Sequence, residues 1–153
     1  MNVERLSFAD EPEKITSTPI DCLWVLLAER EAPRPLSSKA LQWIDWRLHG
    51  MISRYLLRAP AGDPQTTFVP TMKKLGFPMV AIEPDSADWK SFQRNCEGMK
   101  LKDVLVFCED ESRIAAIEKE LRKQSVSEFP QRVIFGFEGT PRAGETKSRE
   151  SSS

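Results

Sequence analysis

The chain has 153 residues, 40% of them apolar and 29% charged, proportions that suit one folded core rather than a disordered or fibrous chain. Its 22 basic and 23 acidic residues leave a formal charge of -1, so no concentrated positive field draws it to nucleic acid or an anionic membrane.

The first fourteen residues (MNVERLSFADEPEK) hold four acids and no uninterrupted apolar stretch, unlike a signal peptide. Val3 to Ala9 roughly alternates polar and apolar residues, which predicts a short edge strand. Asp10 to Pro19 is polar with two prolines and reads as a connection. Asp21 to Ala28 (DCLWVLLA) is nearly all apolar and bounded by turn residues, the pattern of a strand buried on both faces. It is far shorter than the ~20 residues a membrane helix needs. The protein is expected in the cytoplasm, away from membranes.

From about Ser37 to Arg58 the spacing predicts one long helix. Ser37 or Ser38 caps it by accepting from an otherwise orphan backbone N–H. Leu41, Ile44, Leu48, Ile52 and Tyr55 fall on one face as its core stripe. Arg58 to Pro64 (RAPAGDP) stops it. Two further strands follow, Thr66–Val69 and Met79–Ile82, joined through Pro70–Pro78. Ser86–Met99 is a second helix with Trp89, Phe92 and Cys96 in register. Asp103–Cys108 is another buried strand, and Asp110 or Ser112 caps a third helix whose inner face is Ile114, Ile117 and Leu121. Gln131–Phe137 is the last strand. Residues 1–138 are expected to form a single domain, and the polar stretch 139–153 to be disordered. Strands alternating with helices predict an α/β fold, a mixed or mostly parallel sheet flanked by helices.

A search for chemistry returns nothing that converges. His49 is the only histidine; it lies mid-helix with no GxSxG elbow to serve, so a surface or partly packed role outweighs catalysis. Glu109-Asp110-Glu111 and Glu83-Pro84-Asp85 each follow a strand, where ligands of α/β sheets gather, but capping accounts for them more simply. None of the seven glycines is spaced to cradle a phosphate. Cys22, Cys96 and Cys108 form no CxxC pair and sit too far apart for a structural zinc site, which points to a reducing compartment. No cofactor, metal or catalytic residue is expected.

One feature stands out. Trp43, Trp46, Gly50, Ser53 and Leu57 recur at helical spacing on nearly the opposite side of the long helix from its core stripe. A helix covering a sheet needs one apolar face, and tryptophan is enriched where interfaces anchor. Either the stripe binds a protein partner or a second copy, or residues 1–20 or the C-terminal strand fold over it.

The stretch Pro35 to Leu57 (PLSSKALQWIDWRLHGMISRYLL) resembles the N-terminal domain of the leucyl aminopeptidase family. There a D-W-R-L-N-G-x-L-S type segment follows a buried strand that begins with Asp. The matching residues here are Asp45, Trp46, Arg47, Leu48, Gly50 and Ser53, with His49 where Asn is common. The resemblance covers about residues 20 to 83 and implies a macro-like three-layer α/β domain of the kind that helps assemble the family's hexamer and shapes access to its site. The family's hydrolytic chemistry belongs to a separate two-metal domain. Its signatures, around NTDAEGR and a Lys-containing Gly-rich segment, do not occur in these 153 residues, so no catalytic residue carries over. The chain also departs from the family's Gly-Leu-Gly turn, having Ala81-Ile82-Glu83-Pro84, and from the Gly-rich and Asn-rich motifs by which macro domains bind ADP-ribose. The resemblance implies a non-catalytic interaction or regulatory module. The alternatives are a macro-type binder of nucleotide derivatives, or an accessory subunit of a separately encoded metallo-aminopeptidase.

Overall fold

The computed structural model describes residues 2–8, 12–28, 36, 38–58, 67–71, 76–84, 89–123 and 128–137, without the side chains of 12, 56–58, 67, 69 and 84. Its strands are β1 (Asn2–Ser7), β2 (Cys22–Leu27), β3 (Thr67–Pro70), β4 (Met79–Pro84), β5 (Asp103–Cys108) and β6 (Arg132–Phe137). Its α-helices are α1 (Lys39–Arg47), α2 (Met51–Arg58), α3 (Trp89–Met99) and α4 (Ile114–Lys123). The strands form one sheet in the order β1-β6-β5-β2-β4-β3, parallel except for the antiparallel edge strand β3. This is the mixed, mostly parallel α/β sheet that the alternation of patterns predicts.

All six residues of the central strand β2 are buried, and they divide by the two-residue period of a strand. Leu23, Val25 and Leu27 join Leu41 and Ile44 of α1, Leu48 just beyond it and Ile52 of α2 in one layer of core. Cys22, Trp24 and Leu26 join Phe92 and Cys96 of α3 and Ile114, Ile117 and Leu121 of α4 in the other. A strand that feeds two cores can spare no polar side chain, hence the continuous apolar run. Register is fixed where β2 and β5 begin. The Asp21 carboxylate accepts from the backbone N–H groups of Lys102 (2.8 Å) and Asp103 (3.2 Å), and the Asp21 N–H donates to the Asp103 carbonyl at 2.8 Å.

Beside α1, the connection between β1 and β2 contains a 3₁₀ segment, Pro12–Ser17, where the sequence suggested only a linker. Ile15 is buried in the core beneath α1 and α2, while Ser17 Oγ and Thr18 Oγ1 both donate to the Lys14 carbonyl. One buried side chain and hydroxyls bonding locally to the backbone produce order without a helical period to announce it.

The long helix expected over Ser37–Arg58 is not continuous. It is two helices, broken at Leu48–Gly50, and the cause is local: His49 and Gly50 both adopt left-handed conformations, φ 56° and 79°. The expected single-domain span of 1–138 includes stretches outside the described residues, and the expected disordered tail 139–153 lies wholly outside them. Among the described residues no helix is long and apolar enough to cross a membrane.

Candidate functional site

The helix break is built from its own sequence. Ser38 caps α1, its hydroxyl accepting from Leu41 N–H at 3.2 Å. At the other end His49 N–H donates to the Trp46 carbonyl at 3.1 Å and Gly50 N–H to the Asp45 carbonyl at 2.8 Å. This pair of bonds, with a left-handed residue between them, is a Schellman termination. Such a turn favours Gly or Asn at the position His49 occupies. The next helix begins at once, and Asp45 caps it from within the preceding one. Its Oδ1 accepts from Ile52 N–H at 2.7 Å and Ser53 N–H at 3.2 Å, and its Oδ2 accepts from the Ser53 hydroxyl. The carboxylate thus satisfies orphan donors of α2 and meets the positive end of its dipole.

These contacts redistribute the five residues of the second stripe. Ser53 and Gly50 serve the break: one hydroxyl completes the Asp45 cap, and one glycine accepts a backbone angle costly for an L side chain. Trp43 packs in part against the core layer under α1, and the Arg47 guanidinium carbon lies 5.8 Å from the centre of its ring. The side chain of Leu57 lies outside the described residues. Trp46 alone presents its ring to solvent, 69% exposed, and across the break Met51 is 36% exposed. The break and the core thus absorb Gly50, Ser53 and part of Trp43, and leave the ring of Trp46 projecting. The core stripe survives the interruption, with Leu41, Ile44, Leu48 and Ile52 buried and Tyr55 packed against them.

The other place to look is the carboxyl edge of the parallel strands. The connection after β2 leads toward β3 and β4, whereas the one after β5 leads toward β6, so the two diverge where ligands of open α/β sheets bind. Two carboxyl groups are buried at this edge, Glu83 and Glu109. The Ala28 N–H, a donor that a phosphate would need, is already taken by Glu109 Oε1 at 3.1 Å. Asp110 caps the turn leading into α4, accepting from Ser112 N–H at 3.1 Å. Capping therefore describes Asp110, but Glu109 ties the end of β5 to the end of β2. Periodicity could not separate these two neighbours, because the difference lies in a contact 81 residues apart. Among the described residues no three His, Cys, Asp or Glu side chains gather to hold a metal ion.

The three cysteines are free and buried. Burial pushes the Cys22 thiol up to about 12, and Cys96 rises for the same reason, with Cys22 and Glu83 nearby adding to it. Thiols held protonated in an apolar layer are poor nucleophiles and poor metal ligands. His49 is exposed at the helix break, and none of the buried cysteines belongs to the core layer beneath it.

No family model matches this sequence, and no curated protein does. Twenty-four chains of solved structure match it. One is a mutant of tomato leucine aminopeptidase, superposed over 92% of this chain with a TM-score of 0.57 at 15% sequence identity. A likeness at that identity establishes the fold. The chain spans 33% of the length of that enzyme.

Proposed function

We propose that this chain is a non-catalytic protein-interaction module, related in fold to the N-terminal domain of leucyl aminopeptidases and working in the cytoplasm. The observation that carries the reading is Trp46, a large apolar ring left 69% exposed at a helix break held by five hydrogen bonds, with no competing constellation of catalytic groups on the described surface. Rigid aromatic side chains on ordered elements lose little entropy on binding, which makes them effective anchors.

Affinity capture with the intact chain, followed by reconstitution of each captured protein in purified form, tests this. A partner that forms a stoichiometric complex with wild type, and binds Trp46→Ala at least tenfold more weakly, supports the reading. Equal binding by both proteins contradicts it. So does turnover of a leucine amide by the chain alone with added zinc or manganese. Because Trp46 is exposed, its replacement should change folding stability by no more than ~0.5 kcal/mol, so weaker binding reports on the surface and not on the fold.

A second reading, an accessory subunit of a separately encoded metallo-aminopeptidase, is favoured by the superposition on one third of such an enzyme. It rests on fold analogy. Its test is whether a purified aminopeptidase catalytic chain from the same cells retains this protein on gel filtration. The macro-type reading has less support, because Glu83 and Glu109 occupy the strand edge where an anion would sit. A thermal shift with ADP-ribose would revive it.

A further inference from the structure

We draw no further inference here: the strongest candidate, the outer edge of β1 where the main-chain groups of Val3, Arg5 and Ser7 face away from β6, is an open strand edge, and nothing in the structure shows what covers it.

Discussion

Asp45 does for α2 what an N-cap residue ordinarily does, but from the body of the preceding helix. Replacing it with alanine removes acceptors from Ile52 N–H, Ser53 N–H and the Ser53 hydroxyl together. A loss of ~2 kcal/mol is expected in urea unfolding, larger than the ~1 kcal/mol for Ser53→Ala, which leaves the backbone bonds in place. At the neighbouring turn the two left-handed residues should respond in opposite directions. Gly50→Ala should cost ~1 kcal/mol and His49→Gly should gain ~0.5 kcal/mol, because each changes the strain of a positive φ. An unchanged urea midpoint for both would mean that the break does not depend on these residues. The buried thiols give a pH signature. The Cys22 thiol is raised from its ordinary value to about 12, so above pH ~9 the unfolded chain releases a proton that the folded chain keeps. The thiols' contribution to stability should therefore be constant below pH ~9 and fall above it, by up to ~1.4 kcal/mol per pH unit for each such thiol. Ellman's reagent should find none of the three cysteines in the native protein and all of them in denaturant. A native thiol that reacts at pH 8 would show that the layer under α3 and α4 opens readily.

Among the elements, strands and their burial were largely legible. Asp21–Ala28, Asp103–Cys108 and Gln131–Phe137 all become strands within a residue or two of the expected ends, since continuous apolar runs bounded by turn residues leave little choice. The helix break was not legible from periodicity. Leu41, Ile44, Leu48 and Ile52 keep facing the core through it, so the apolar pattern does not register the interruption. The signal that could have found it was Gly50 after a polar residue, with Asp45 and Ser53 spaced to bond each other. Asp45 caps α2, Leu48 is buried in the core and Gly50 adopts a positive φ, whereas the ring of Trp46 projects to solvent. Gly136 on β6 is a second glycine whose reason lies in packing: a Cβ there would come within 2.8 Å of both the Phe8 and Phe107 rings. Gly136→Ala should destabilise by ~1–3 kcal/mol, read from the thermal midpoint, because both rings are buried and must shift. A midpoint that does not move would mean that the Phe8–Phe107 pair, 5.7 Å between ring centres, is loosely held.

At the scale of the whole molecule, a mostly parallel sheet sandwiched between α1–α2 and α3–α4 accounts for the buried apolar side chains, and the carboxyl edge that would serve a ligand is closed in part by Glu109. The large aromatic ring left outward among the described residues is that of Trp46 at the helix break. The account therefore depends on Trp46 being open in the free protein and covered in a complex. Acrylamide quenching of tryptophan emission reads this directly, since Trp24 is fully buried and Trp43 and Trp89 are partly packed. In the free chain the strongly quenched component should disappear on Trp46→Phe, and in wild type it should disappear when the partner binds. A quenched component that survives Trp46→Phe, or stays open in the complex, would contradict the account.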